Sequence, residues 1–260
     1  MLRKCACIDT LYTELPFEGR FSAAAADGFE SVEFWDWRKL DPARVRDLAL
    51  ASGIAVSGFN GDADYSLVDP SHRKPYLAAL RQSIRAAQVI GASGVTIHSN
   101  ALGEGGRVVN RYEELSDTVK LCAMYGTLEE CARVAEGEGV NLRLEALNVV
   151  TDHAGNFLKH TRMAAELCQL IGSPRLRVLF DCYHMQLNEG ALCETLSKYV
   201  DWIGHIHIAD APGRHEPGTG EICYPNIYHH LERIGYRGRL GYELFPQTDT
   251  HAAVAAIMRD

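Results

Sequence analysis

Four polar residues in the second half of the chain recur at about the spacing of one βα unit. They are Glu145, Asp181, His207 and Glu243, separated by 36, 26 and 36 positions. Each lies at or near the end of a short apolar run: Leu142-Arg143-Leu144-Glu145, Val178-Leu179-Phe180-Asp181, His205-Ile206-His207-Ile208 and Leu240-Gly241-Tyr242-Glu243. If these runs are strands, alternation sends Leu144, Phe180, Ile206 and Tyr242 to one side and the four polar groups to the other. Three carboxylates meeting at one point would repel one another and raise each other's pKa values unless a cation lay between them. With one imidazole they form a fitting shell for a single divalent metal ion, Mn2+, Mg2+ or Co2+. Any one of these acids alone could equally cap a helix or pair with a lysine. Their coincidence on consecutive runs is what argues for the metal.

Positioning such a shell requires strands whose ends converge. β-rich runs alternate with helical segments along the whole chain, the pattern of βα units feeding a parallel sheet. The expected strands are Arg3 to Ile8, Ser31 to Trp35, Ile54 to Phe59, Gly94 to His98, Val140 to Glu145, Leu176 to Asp181, Trp202 to Ile208 and Gly238 to Glu243. Helices are expected over Phe21 to Asp27, Asp41 to Ser52, Pro75 to Gly91, Leu128 to Glu138, Phe157 to Ile171, Glu189 to Val200, Pro225 to Gly235 and Thr250 to Met258. Asp41-Pro42 reads as a helix start, and Gly53, Gly91, Gly139, Gly172 and Gly235 read as stops. Eight right-handed units most simply close into one (β/α)8 TIM barrel over residues 1–260, with an open doubly wound sheet as competitor. Its site would lie at the C-terminal ends of the strands. Asn100 to Arg111 is the longest irregular connection and is expected to be a mobile loop over that site.

Other residues fall near the same rim. His184, in Asp181-Cys182-Tyr183-His184, could reach a substrate oxygen or merely close the turn. Arg214, in a polar loop, could bind a carboxylate or lie in solvent. His98, ending strand four, and Glu33 on strand two face the same rim; either is a candidate substrate contact, His98 ahead of Glu33, or a structural hydrogen-bonding residue. His205 lies one layer deeper and reads as a core histidine supporting the site. Trp35, Trp37 and Phe59 could wall a small pocket or be plain packing. Cys182 lacks a clear base and is weak evidence for a nucleophile.

The 260 residues are 47% hydrophobic and 23% charged, which excludes disorder and collagen-like repeats. No run approaches a membrane span, and no secretory signal is evident. A net charge of -8 argues against a nucleic-acid-binding face. The eight cysteines show no CxxC pair and read as reduced thiols of a cytoplasmic protein. HExxH, GxSxG and an early GxGxxG turn are absent, removing the usual signs of zincins, serine hydrolases and dinucleotide enzymes.

With these residues in place, the chain resembles the hydroxypyruvate isomerase family, within the xylose-isomerase-like TIM barrels, nearly end to end. The most specific pieces are Tyr12-Thr13-Glu14-Leu15-Pro16-Phe17, Gly28 to Phe34, Asp181 to Gln186 with Glu189-Gly190, and Gly204 to Asp210 continuing through Glu221. The resemblance implies one divalent metal on Glu145, Asp181, His207 and Glu243, with Glu145 and Glu243 as the acid/base pair. It also implies substrate contacts from His184 and Arg214. Two departures stand out: hydroxypyruvate isomerases are expected to carry glutamine where this chain has His207, as ketose 3-epimerases do not, and Ala146-Leu147-Asn148 replaces a Pro-Ile-Asn-like run.

The implied reaction moves a proton through a cis-enediolate of a small hydroxycarbonyl or sugar-like substrate, converting hydroxypyruvate to tartronate semialdehyde. Rival readings are a ketose 3-epimerase, a metal-dependent lyase or dehydratase, and a non-catalytic sugar-binding barrel; endonuclease-IV-like repair is remote. No nucleic-acid or membrane partner is expected, and assembly into a homo-oligomer stays open.

Overall fold

A computed structural model describes residues 2–62 and 64–259. Eight parallel strands close in sequence order: β1 (Arg3–Cys7), β2 (Ser31–Phe34), β3 (Ala55–Asn60), β4 (Gly94–Ile97), β5 (Asn141–Glu145), β6 (Leu176–Asp181), β7 (Ile203–Ile208) and β8 (Arg239–Tyr242). The closure is the β1–β8 pairing, where Cys5 lies opposite Gly241. Helices α1 (Phe17–Ala26), α2 (Pro42–Ser52), α3 (Arg73–Ile90), α4 (Asp117–Glu138), α5 (Thr161–Ile171), α6 (Cys182–Asn188), α7 (Leu192–Tyr199), α8 (Tyr224–Arg233) and α9 (Thr250–Arg259) run between and after the strands. The expected TIM barrel is therefore the observed fold, and each strand matches its expected span to within one residue per end. Glu243 itself lies just beyond β8.

The elements form for local reasons. Asp41 accepts a hydrogen bond from the Ala43 amide and starts α2, with Pro42 in its first turn. Glycines in the left-handed region end α2, α3, α4 and α5, as the sequence suggests. The core lies between barrel and helices: Leu144, Phe180, Ile206 and Tyr242 are all buried there, leaving their polar neighbours to the barrel interior. A register shift between Val178 and Leu179 places Asp181 opposite His207. Because side chains alternate with period two, an unshifted register would put Ile206 there instead.

Several helix boundaries differ from expectation. The helix expected over Glu189 to Val200 is α7, starting at Leu192 because Gly190 and Ala191 both take left-handed φ; the short helix α6, capped by Asp181, precedes it and was not expected. Capped by Ser116, α4 starts at Asp117, eleven residues before the expected Leu128, and exposed Val119 and Leu121 blur the amphipathic pattern there. Phe157 lies outside α5, its amide bonded to the Asn100 side chain. The Asn100 to Arg111 connection is not structureless: Leu102 and Val108 form an antiparallel bridge, and His153 donates to the Gly106 carbonyl. Among the described residues no helix is long and apolar enough to cross a membrane.

The loop after β7 carries Arg214 and is fastened by one carboxylate. Asp210 accepts from the amides of Ala211, Gly218, Gly220 and Ile222, at 2.9 to 3.0 Å. Arg214 then takes φ +58°, sparsely populated for a residue with a Cβ, while its carbonyl accepts from Phe245. On β8, a Cβ at Gly241 would come 2.0 Å from Glu33 Oε1 and 2.8 Å from His205 Nε2. Only glycine leaves room for that buried cluster.

Gly241→Ala is expected to cost about 1–3 kcal/mol by overpacking, whereas Gly137→Ala, in open space on α4, should stabilise by about 0.5–1 kcal/mol. Denaturant midpoints of the two variants check this, and equal effects would contradict it. Asp210→Ala should speed hydrogen exchange at Ala211, Gly218, Gly220 and Ile222; unchanged protection at those four amides would show the carboxylate to be dispensable.

Candidate active site

Glu145 ends β5, Asp181 ends β6 and caps α6 through the His184 amide, His207 is the penultimate residue of β7, and Glu243 follows β8. The barrel brings all four together, and their ligating atoms lie within 4.8 Å of one another. His207 Nδ1 is the hub: Glu243 Oε2 is 3.4 Å away, Glu145 Oε1 3.6 Å and Asp181 Oδ2 3.7 Å. Three of these buried atoms, Glu145 Oε1, Asp181 Oδ2 and His207 Nδ1, have no hydrogen-bond partner. Buried polar atoms are rarely left so. Acceptors facing one another across such a gap fit a cation coordinated by oxygen and imidazole nitrogen.

The shell is braced from behind. Glu33 meets His205 Nε2 at 2.9 Å and His207 Nε2 at 3.3 Å. A carboxylate can only accept here, so neutral His207 places its proton on Nε2 and turns the Nδ1 lone pair toward the carboxylates. Burial and the Arg143 guanidinium push His205 down to about 4, so that ring stays neutral. Burial works against charge on His207 as well, but Glu33 and Glu243 outweigh it and raise its pKa. Burial likewise opposes ionisation of Glu145, yet neighbouring His207 and His98 hold its carboxyl well below the usual range. The site thus keeps its carboxylates ionised and demands positive charge.

His98 follows β4 at the expected rim and takes the structural hydrogen-bonding role. Its Nε2 contacts Glu145 Oε2 at 3.1 Å and its Nδ1 contacts Asp62 at 3.2 Å. Both ring nitrogens are engaged, so His98 braces Glu145 and offers no free nitrogen to a substrate. Asp62, two residues past β3, also accepts from the His98 amide at 2.6 Å; its position just beyond a strand end was the available signal, and sequence reasoning missed it. Glu243 is held by the Trp35 indole N–H and by the Arg214 guanidinium. The latter also stacks on Tyr183 at 5.4 Å, and its Nε is buried without a partner. Of the expected aromatic wall, only Trp35 reaches the site. Trp37 donates to Ser83 beside α3, and Phe59 stacks on Phe34 in the outer core.

His184 is fixed by Asn148, another residue sequence reasoning passed over. The Asn148 Oδ1 accepts from the amides of Thr151 and Asp152, so its Nδ2 must be the donor to His184 Nδ1, at 2.7 Å. Burial lowers the His184 pKa, and the neutral ring then carries its proton on Nε2, 3.7 Å from Asp181 Oδ2 and otherwise unpartnered. Cys182 is buried, and burial pushes its thiol well above the ordinary range, the opposite of an activated nucleophile.

A family model described as "Xylose isomerase-like TIM barrel" matches residues 21–260. The 2-oxo-tetronate isomerase of Cupriavidus necator is 30% identical, with 98% of this chain and 96% of that protein covered. The hydroxypyruvate isomerase of Escherichia coli is also 30% identical, with 98% and 97% covered. The crystal structure of AP endonuclease, family 2, from Brucella melitensis superposes with a TM-score of 0.91 over 100% of this chain and 99% of that one, at 24% identity, a likeness of fold alone. Barrel, convergent quartet and end-to-end relatives agree, and the chain belongs to the hydroxypyruvate isomerase family of xylose isomerase-like TIM barrels.

Proposed function

We propose that the protein is a divalent-metal-dependent isomerase of a small 2-oxo hydroxy acid, of the hydroxypyruvate or 2-oxo-tetronate type. The observation that carries this reading is the set of three unpartnered, buried, mutually facing atoms on Glu145, Asp181 and His207, with the Glu243 carboxylate completing the ring. These four residues would hold one ion, Mn2+, Mg2+ or Co2+. A bound ion would supply Lewis acidity, polarising a carbonyl and stabilising negative charge on oxygen.

The protein's own groups then handle position and protons. Arg214, which already faces two carboxylates, has an unpartnered Nε–H suited to a substrate carboxylate oxygen. The His184 Nε2–H donates to a substrate oxygen. One of the two glutamates, Glu145 or Glu243, removes the proton from the hydroxyl-bearing carbon, the hydroxyl proton passes to the neighbouring oxygen of the enediolate, and the other glutamate reprotonates the former carbonyl carbon. For hydroxypyruvate this gives tartronate semialdehyde, with no atom lost or gained. His98, itself held by Asp62, fixes Glu145 Oε2, as Trp35 fixes Glu243 Oε1. Eight free cysteines suit a cytoplasmic setting. His207 leaves ketose 3-epimerisation as the second reading, distinguished by return of the proton to the carbon it left.

Treatment with EDTA should abolish turnover of hydroxypyruvate and 2-oxo-tetronate, and Mg2+ or Mn2+ should restore it; full activity of demonstrably metal-free protein would overturn the reading. Glu145→Gln and Glu243→Gln should each lower kcat by about 10²–10⁴-fold and suppress incorporation of solvent deuterium at carbon, followed by NMR with Mg2+. Product identity in the same spectra separates isomerisation from epimerisation.

A further inference from the structure

Beside the quartet lies a second group, Asp152, His153 and His184, also close enough to be mistaken for a metal site. The hydrogen bonds argue otherwise. His184 Nδ1 is consumed by the Asn148 amide, so its remaining nitrogen bears a proton and cannot coordinate an ion as neutral imidazole. His153 has the opposite polarity. Its Nδ1 lies 2.6 Å from the Gly106 carbonyl, which can only accept, so Nδ1 holds the proton. Burial and neighbouring His184 push the His153 pKa down to about 4, and the ring is neutral. Its Nε2 is therefore a lone pair, buried and without a donor.

The two rings meet edge to face with centroids 5.1 Å apart. One offers an unpartnered N–H and the other an unpartnered lone pair. A keto or carboxylate oxygen could satisfy only the first, since it has no proton to give. A hydroxyl satisfies both, accepting from His184 and donating to His153. His184 Nε2 adjoins Asp181 Oδ2 at 3.7 Å, so this hydroxyl sits beside the quartet. The ring of His153 is held there by its packing: a Cβ on Gly106 would fall 2.7 Å from His153 Cε1, and one on nearby Gly155 would strike Arg111.

We infer that His153 is a specificity-determining residue, which with His184 reads one substrate hydroxyl on the carbon beyond the reacting hydroxycarbonyl pair. This rests on the isomerase reading and sharpens it. Hydroxypyruvate has no such hydroxyl, whereas a four-carbon 2-oxo-tetronate carries one at C4, so the four-carbon acid is the better substrate. A buried acceptor left unpaired penalises an analogue that lacks the donor.

The test compares 2-oxo-tetronate with its 4-deoxy analogue, 3-hydroxy-2-oxobutanoate, in wild type, His153→Leu and His153→Gln. In wild type the kcat/KM ratio should favour the hydroxylated acid by about 10-fold or more. In His153→Leu the ratio should collapse toward unity, and His153→Gln, which retains an acceptor, should recover part of it. A wild-type ratio near one, as expected if the two rings bridge only an ordered water, overturns the inference. So does a His153→Leu variant that loses both substrates in equal proportion, as a mere pin for Gly106 would. A readout independent of turnover is calorimetric binding of erythronate against 2,3-dihydroxybutanoate in the presence of Mg2+, where the same ratio should appear and disappear. Wild type that turns over neither acid yet discriminates between these ligands would sink the isomerase reading and leave the hydroxyl site standing. Turnover of both acids without discrimination would do the reverse.

Discussion

Three buried carboxylates crowd one imidazole nitrogen at the mouth of the barrel, and the rest of the structure is organised around meeting that electrostatic demand. Like charges a few ångströms apart in a poorly solvated interior cannot all stay ionised without compensation. The protein surrounds them with partners: Glu33 behind His207, Asp62 and His98 behind Glu145, Trp35 and Arg214 against Glu243. Trp35 and Arg214 engage both oxygens of Glu243, whereas His98 and Glu33 each fix one atom of Glu145 or His207 and leave the other facing inward. That division of labour, one atom for the scaffold and one for chemistry, is what a preorganised ligand shell requires.

The barrel supplies the geometry cheaply. Successive parallel strands deliver one inward residue each at the same height, and the shift between Val178 and Leu179 corrects the one register that would misplace His207. Gly241 keeps β8 thin where Glu33 and the two histidines need volume. Asp210 converts a flexible-looking loop into a fixed platform for Arg214 by pairing four amides. Loops carrying function are commonly held by a few such buried polar anchors.

The strands and the quartet were legible in the sequence because their signal is local: short β-rich runs, each closing on a polar residue, at regular spacing. The braces were not. Asp62 and His98 are 36 positions apart, and nothing in either neighbourhood shows that β3 and β4 will set them side by side. The sequence leaves His98 open between substrate contact and structural brace, and only the engagement of both its nitrogens decides for the brace. Helix α6 escapes the sequence for a related reason: Asp181 is both a site residue and the cap that starts α6, and its residue type and position signal only the first role. The polarity of His153 and His184 depends on which neighbours are carbonyls and which are amides. That is settled by three-dimensional hydrogen bonding, which residue types alone do not encode.

The central claim is that the quartet holds a single divalent ion. Anomalous diffraction from crystals grown with Mn2+ tests it most directly. The account predicts one strong peak enclosed by Glu145, Asp181, His207 and Glu243, and none among Asp152, His153 and His184. An empty quartet at saturating Mn2+, or a peak only at the second group, would contradict it.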